Sequence, residues 1–203
     1  MSKLNDLIQQ LCPDGVPYKT IGETSTISRG VVMSKDFIRD NAGDYPVYSS
    51  QTENNGELGK INSFNYDGEY LTWTTDGANA GSVFYRNGKF SITNVCGLIE
   101  VVDQNVITKF LYYVLSVTAP KYVNRGMGNP KLMSNKMSKI KVPVPPIEVQ
   151  SEIVNILDNF AELTAELTAE LTAELTARNK QYEYYRNALL SFDEKRSGGG
   201  IIN

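Results

Sequence analysis

The chain has 203 residues with a formal net charge of −3, two cysteines and no histidine. Without histidine it cannot use imidazole as a general base or as a metal ligand, and two cysteines are too few for a thiolate zinc site. Any chemistry would therefore have to come from carboxylates or from another subunit. We expect no metal and no cofactor, and we expect Cys12 and Cys96 to be small core residues.

The composition also bears on localisation. The longest apolar run, residues 110–115, is far shorter than the roughly 20 residues that a membrane-spanning helix needs. The N-terminus lacks the apolar segment of a signal peptide. We expect a soluble, cytoplasmic protein without a membrane partner.

Short β-rich segments separated by turn residues follow one another up to residue 146. Predicted strands lie at residues 45–48, 70–73, 82–85 and 98–102. Turns are predicted at Asp67-Gly68, Asp76-Gly77 and Asn87-Gly88, the last within a hairpin over residues 86–89. A helix is predicted over residues 108–117 with Thr108 as its N-cap, and a short strand over residues 140–144. The prolines that follow close a first domain, residues 1–146.

Positive charge is concentrated near the end of this domain. Residues 1–150 hold 15 basic against 14 acidic side chains, whereas residues 151–203 hold 5 against 9. Residues 104–147 contain no acidic side chain but seven basic ones: Lys109, Lys121, Arg125, Lys131, Lys136, Lys139 and Lys141. Such a patch suits phosphate binding. The alternative is a solvated face whose cations are balanced by acidic residues brought near in the fold.

After Pro146 the apolar pattern predicts one long helix, residues 147–192, and then a flexible tail, residues 193–203. From Val149 to Leu167, apolar residues recur at alternating steps of four and three, and steps of four follow to Leu171 and Leu175, without an intervening Gly or Pro. A helix of this length measures about 69 Å and needs a partner to bury its apolar stripe. Arg178 is the one charged residue in that stripe and could fix the register. The predicted dimerisation residues are Ile153, Ile156, Phe160, Leu163, Leu167, Leu171, Leu175, Tyr182 and Leu189.

The middle of this helix is an internal repeat. Thr-Ala-Glu-Leu occurs at residues 164–167, 168–171 and 172–175, after Phe-Ala-Glu-Leu at 160–163. Each unit lengthens the helix by about 6 Å and turns the leucine stripe by about 40°. A coiled coil absorbs such a four-residue insertion by local unwinding. The repeat is either a spacer whose length sets a distance or a tandem duplication tolerated because Ala, Glu and Leu are good helix formers.

The sequence resembles the specificity subunits of type I restriction–modification systems. The resemblance covers nearly the whole chain and rests on the order and spacing of the repeats and of six segments: 15–23 (GVPYKTIGE), 45–56 (YPVYSSQTENNG), 139–146 (KIKVPVPP), 150–158 (QSEIVNILD), 180–186 (KQYEYYR) and 189–192 (LLSF). Family subunits usually carry two target-recognition domains, each followed by a helix, and the helices pack antiparallel. This chain has one domain and one helix, so the resemblance implies a half-length form.

The resemblance implies an α/β protein: a mixed α+β target-recognition domain followed by one long α-helix, which forms an antiparallel coiled coil in a homodimer. Such a protein would read a symmetric two-part target in double-stranded DNA. It would not be an enzyme, because methylation would come from two modification subunits and cleavage from a restriction subunit in the full complex. The chain itself has neither a Gly-rich S-adenosylmethionine motif nor an Asn/Asp-Pro-Pro-aromatic motif.

Two groups of side chains are candidates for DNA contact. Polar loop residues suit base edges, because Asn and Gln donate and accept side by side; ordinary turn chemistry is the alternative for each of them. The candidate base contacts are Ser49, Ser50, Gln51, Asn54, Asn55, Thr74, Thr75 and Asn79. The candidate phosphate contacts are Arg125, Lys131, Lys136 and Lys139.

Two other functions compete with this one. An enzyme built on carboxylates would use Glu69 and Asp76, although lone acids beside glycine turns are usually structural. A coiled-coil scaffold whose globular domain binds protein would show no salt-dependent DNA binding.

Overall fold

The computed structural model describes residues 3–126 and 128–191. Phe192 and the predicted tail, residues 193–203, lie outside the described residues. Contacts divide the chain into two compact units, of which the first ends at Asn155 and the second begins at Ile156. No helix in the described part of the chain is both long enough and apolar enough to cross a membrane.

The first unit is a mixed α+β domain. Its helices are α1 (Lys3–Leu11), α2 (Ile21–Thr24), α3 (Lys35–Asp40), α4 (Thr108–Thr118) and α5 (Ser134–Met137), and α6 (Ile147–Leu190) begins in it. Its strands are β1 (Tyr18–Thr20), β2 (Ser25–Arg29), β3 (Ala42–Tyr48), β4 (Glu57–Ile61), β5 (Tyr66–Thr74), β6 (Val83–Ile92), β7 (Cys96–Val101) and β8 (Lys141–Pro143). Short 3-10 turns cover Glu53–Gly56 and Ala119–Tyr122.

Six strands form the central sheet in the order β2-β7-β5-β6-β3-β4. Neighbouring strands are antiparallel except for β3 and β6, which are parallel. A separate antiparallel pair, β1 and β8, places Tyr18 opposite Pro143. The strands predicted from the sequence are therefore confirmed in β3, β5, β6, β7 and β8.

Two of the predicted turns are wrong. Asp67-Gly68 lies inside β5 and Asn87-Gly88 inside β6, so the hairpin predicted over residues 86–89 does not exist. Gly68 stands opposite Gly88 in the antiparallel ladder, with φ angles of +137° and +99°. Glycine supplies the positive φ here within two paired strands, where a side chain would be strained. The prediction of a turn at Asp76-Gly77 is confirmed, since it lies between β5 and β6.

The core lies on both faces of the central sheet. Ile99 belongs to a cluster with Trp73 and Leu111 of α4, whereas the adjacent Leu98 belongs to a second cluster around Phe90. The Trp73 indole is fully buried and donates its Nε1–H to the Leu132 carbonyl at 2.9 Å. A Cβ at residue 97 would lie 2.2 Å from Cη2 of that ring, so only glycine fits at this position of β7.

The two cysteines have different surroundings. Cys96 is buried at the start of β7, as expected of a core residue, and burial raises the pKa of its thiol to about 12. Cys12 is only half-buried, so the expectation that it is a core residue is wrong. It lies directly after α1, in the segment that leads to β1.

The helix predicted over residues 108–117 is α4, but Thr108 is not its N-cap. Ile107 occupies that position and has no capping side chain. The fully buried Gln150, at the start of α6, caps this end instead, because its Oε1 accepts the Ile107 N–H at 2.9 Å. Its Nε2 donates to the carbonyls of Asn105 and Pro145, each at 2.7 Å. One side chain thereby joins the loop before α4 to the first turn of α6.

The long helix is confirmed as α6, over Ile147–Leu190. Every residue from 159 to 191 is exposed. In the repeats, each threonine hydroxyl donates to the carbonyl four residues earlier; the bond from Thr164 to Phe160, for example, is 2.7 Å. These bonds keep the hydroxyls on the helix backbone. Arg178 forms an ion pair with Glu174 of its own helix at 3.5 Å.

Candidate nucleic-acid interface

Hydrogen bonds join three loops at one end of the central sheet. The Thr93 hydroxyl, after β6, donates to the Ser49 hydroxyl after β3 at 2.9 Å. Arg29, at the end of β2, donates to the Thr75 hydroxyl at 2.8 Å and to the Asn94 carbonyl at 2.6 Å. The loops that follow β3, β5 and β6 are therefore held together, although the sequence separates them widely. We call this the loop edge.

The first loop, residues 49–56, is closed at its base. The Ser49 N–H donates to the Gly56 carbonyl at 3.0 Å, and the Gln51 side chain donates to the Glu57 carbonyl. Ser49 and Gln51 therefore form hydrogen bonds within the domain. Asn54 and Asn55 are exposed, while Ser50 is half-buried.

The second loop, residues 75–82, carries one exposed candidate. Thr74 and Thr75 are fully buried. The Thr74 hydroxyl donates a hydrogen bond to the Asn79 carbonyl, and the Thr75 hydroxyl donates one to the Val95 carbonyl at 2.9 Å. Their side chains shape the loop and do not face its surface, so we do not retain them as candidate base contacts. Asn79 is exposed.

A fourth loop, described over residues 123–126 and 128–133, is joined by hydrogen bonds to the second loop and so to the loop edge. The Leu132 N–H donates to the Thr75 carbonyl at 2.8 Å and the Gly77 N–H to the Pro130 carbonyl at 3.0 Å. Asn124 and Lys131 exchange two backbone hydrogen bonds of 2.9 and 3.0 Å. A polar hollow of about 300 Å³ is lined by Asn124, Gly126, Gly128, Asn129 and Lys131. The side chains of Arg125 and Lys131 are exposed on this loop.

The other two candidate phosphate contacts are not tied to the loop edge. Lys136 is in α5, and Lys139 follows that helix. The backbone beside them bonds elsewhere: Gly22 donates to the Ser138 carbonyl and Ile21 to the Ile140 carbonyl, each at 2.9 Å. Both lysines are exposed.

The four candidate phosphate contacts keep their charge available. Within residues 3–126 and 128–191, no ion pair involves Arg125, Lys131, Lys136 or Lys139. This favours a surface for anions over a solvated face balanced by carboxylates. In the same part of the chain, no three Cys, Asp or Glu side chains are clustered as a metal site would require.

The carboxylates proposed for an enzyme do not form a pair. Glu69 lies within β5 and accepts a 2.6 Å hydrogen bond from the Tyr85 hydroxyl, whereas Asp76 follows the other end of that strand. The extended strand from Glu69 to its end at Thr74 alone spans about 17 Å. This distance is too large for the two groups to share one reacting atom.

Two arginines of this region were missed by sequence analysis. Arg29 bridges two loops, and Arg86 of β6 lies beneath the first loop, with its Nη2 donating to the Asn55 carbonyl at 2.8 Å. Both come from strands far from the loops that they contact. Only the pairing of the strands brings them there, so no local sequence signal could have indicated them.

The helix carries a second surface. The predicted dimerisation residues from Phe160 onward are all exposed, each by more than half of its area, and Ile153 and Ile156 are half-buried. An isolated helix in water does not keep so many large apolar side chains uncovered without cost. This face of the helix is therefore uncovered in the single chain.

A solved structure shares this fold. The S subunit of the type I restriction–modification system from M. genitalium matches with a TM-score of 0.62 at 18% identity, over 88% of this chain and 47% of that one. A mixed α+β domain followed by a long helix is thus the fold of these S subunits. The chain spans just under half the length of that solved subunit.

Sequence comparison then gives the family. The profile described as "Type I restriction modification DNA specificity domain" matches residues 13–177, and the chain belongs to this family. In Mycoplasma pneumoniae, a putative type I specificity subunit N-terminus is 51% identical over 178 residues, covering 86% of this chain and 95% of that protein. The type I restriction enzyme MpnII specificity subunit of the same organism is 40% identical over 196 residues, covering 96% of this chain and 59% of that protein.

Proposed function

We propose that this chain is the DNA-recognition component of a type I restriction–modification methyltransferase. The observation that carries the proposal is the loop edge, where loops from distant parts of the sequence meet. They present amide side chains beside cations that have no carboxylate partner among the described residues. Specific DNA binding needs this combination, since cations fix the position on phosphates and amides read bases.

The side chains divide into readers, anchors and supports. The readers are Ser50, Asn54, Asn55 and Asn79. No hydrogen bond of their side chains is found within the described residues, and the three asparagines are exposed. Arg125 and Lys131 anchor the adjacent phosphates, and Lys136 and Lys139 extend the contact along the backbone. Ser49, Gln51, Thr74 and Thr75 support the loops through their internal hydrogen bonds.

Two copies of the chain form the working unit. The exposed apolar stripe of α6 is covered when two helices pack antiparallel about a twofold axis, with the domain of residues 1–146 at either end. The two identical domains then bind a target that consists of two inverted half-sites. The number of Thr-Ala-Glu-Leu units sets the gap between those half-sites.

Catalysis belongs to other subunits in this proposal. The chain supplies recognition, two modification subunits supply methylation, and a restriction subunit joins the larger complex. Co-purification with the modification subunit, followed by mapping of methylated positions in genomic DNA, tests this assignment. A complex that methylates the same sites without this chain contradicts it.

Selection of bound duplexes from a random pool tests the recognition itself. The expected outcome is one inverted-repeat target with a fixed gap and an affinity that falls steeply with salt. A directional, asymmetric target would contradict the symmetric dimer. Absence of salt-dependent binding would favour the alternative function, a coiled-coil scaffold whose domain binds protein.

Substitutions then separate readers from anchors. Asn54→Ala or Asn55→Ala should cost about 1–3 kcal/mol of discrimination at one base pair. Arg125→Ala or Lys131→Ala should weaken binding uniformly and lower the salt slope by about 1. Competition titrations with single-base variants of the selected target measure both effects, and equal effects of the two classes would contradict the division.

A further inference from the structure

Arg86 is a buried arginine in the middle of β6. Only 3% of its surface is exposed. Its guanidinium carbon lies 3.5 Å from the centroid of the Tyr48 ring and 4.7 Å from that of Phe84. Nε donates to the Thr72 hydroxyl at 3.1 Å, and Nη2 donates to the Asn55 carbonyl at 2.8 Å. The side chain thus links the sheet to the loop of residues 49–56.

The domain keeps this charge at a cost. Nη1 is buried without a hydrogen-bond partner, and within the described residues no carboxylate forms an ion pair with the guanidinium. Burial lowers the pKa of Arg86, an effect that the neighbouring Tyr48 side chain partly opposes. Burying a charge that has no ionic partner costs free energy. Stability therefore does not explain Arg86.

The loop that Arg86 holds has an unfavourable backbone. Asn54 and Asn55 adopt left-handed conformations with φ of 48° and 53°, and Gly56 follows with φ of +80°. Such conformations persist only where the surroundings fix them. A Cβ at residue 56 would lie 3.1 Å from Nη2 of Arg86, so the glycine packs directly against the guanidinium.

We infer that Arg86 is a positioning residue for sequence discrimination: it fixes residues 49–56 in the one conformation that presents Asn54 and Asn55 to the bases. The inference rests on the proposed function. Arg86 touches no DNA itself, because it is buried beneath the loop. It acts through the Asn55 carbonyl, which its planar fork reaches while it bonds Thr72 and stacks on Tyr48.

The test compares R86M, which keeps a side chain of similar volume, with R86K, which keeps the positive charge but not the planar guanidinium with its several donors. The control is K89M, because Lys89 is exposed on the same strand and stacks on Phe64 at 4.7 Å. Both Arg86 variants should lose at least tenfold of the affinity ratio between the selected target and its single-base variants. Their binding to unrelated DNA and their salt slope should stay unchanged, and the melting temperature of R86M should not fall. K89M should keep the full ratio.

Amide hydrogen exchange gives a readout that needs no DNA. The Ser49 amide, which closes the loop on the Gly56 carbonyl, should exchange at least tenfold faster in R86M than in the parent protein or in K89M. Retained discrimination in R86M would overturn the inference, and so would a large loss of melting temperature or a misfolded variant. If the parent protein itself discriminates no sequence, the proposed function fails, whereas the exchange measurement still decides whether Arg86 fixes the loop.

Discussion

The domain and the long helix differ in how far their large apolar side chains are buried. In the domain, large side chains such as Trp73, Leu71 and Leu111 are fully buried, and the polar groups of the loops are bonded across the sheet end. In α6, every residue from 159 to 190 is exposed, including four leucines of the repeats. Large apolar side chains are therefore buried in the domain and uncovered on the helix.

In the proposed function, this difference lets one chain separate recognition from spacing. A closed core keeps the readers in place whether or not a partner is bound. An exposed stripe ties the second unit to association, because a helix gains most of its stability from packing. Changes in the helix should alter association and distance, and changes in the domain should alter folding and recognition.

The largest effect should come from breaking the stripe. Leu167→Asp combined with Leu171→Asp should raise the dimer dissociation constant at least about 1,000-fold. The proposed dimer loses four leucines, each worth about 1.5–3 kcal/mol when buried, and 1.4 kcal/mol is a factor of ten. Sedimentation measures the dimer, and fluorescence of Trp73 should show an unchanged domain. Glu166→Gln is the control on the same helix. A double variant that still sediments as a dimer would refute the proposed seam.

A smaller effect is expected where α6 begins. Gln150→Leu leaves the Ile107 N–H and the carbonyls of Asn105 and Pro145 without their partner, which should lower the free energy of unfolding by about 2–4 kcal/mol. Urea unfolding followed by Trp73 fluorescence measures this loss. The exposed Gln104→Leu should change it by less than about 0.5 kcal/mol. Equal free energies of unfolding for the two variants would show that the hydrogen bonds of Gln150 do not stabilise the domain.

Lengthening the helix should leave stability nearly unchanged while moving the readers apart. One extra Thr-Ala-Glu-Leu unit after Leu175 adds about 6 Å, which on tilted helices widens the gap between half-sites by one or two base pairs at about 3.4 Å each. Selection of bound duplexes measures the gap. Four glycines at the same point add equal length but cost about 1 kcal/mol each, and they should abolish the preference for one gap. An unchanged gap after the tetrad insertion would contradict the spacer.

The smallest effect concerns Asp103, which lies beside Lys19 at 2.6 Å. The hydrogen bond from Lys19 lowers the pKa of this carboxyl, so its contribution is present above the unfolded value and is lost as the pH falls through the lower folded value. Asp103→Asn should remove less than about 1 kcal/mol at neutral pH and nothing well below pH 4. Urea unfolding across pH 3–7 measures it, with the exposed Asp44→Asn as control. An Asp103→Asn loss that grows as the pH falls would contradict this assignment.

Periodicity was enough to predict α6, and aromatic or β-branched runs were enough to predict five strands. Both signals are local, because they reflect which face of one element is buried. The glycines at 68 and 88 were misread as turns, since the requirement for a positive φ is the same at a turn and within the β5–β6 pair. The capping of α4 was also beyond local reading, because Gln150 lies 43 positions after Ile107.

The candidate site divides in the same way. Asn54, Asn55 and Asn79 stand in loops that composition alone identified, and the structure leaves them exposed. Thr74 and Thr75 have the same polar character but are buried, and local sequence does not distinguish the two cases. Arg29 and Arg86 could not be predicted at all, because their partners lie on other strands.

What the sequence by itself determined is the long helix with its repeats, the loops rich in amides and the cation-rich segment, because each depends on residues that are neighbours along the chain. Only the tertiary structure decided which loops share one edge, which hydroxyls are buried and where Arg86 is held. These features depend on strand order and on the parallel pairing of β3 with β6, which bring together residues dozens of positions apart.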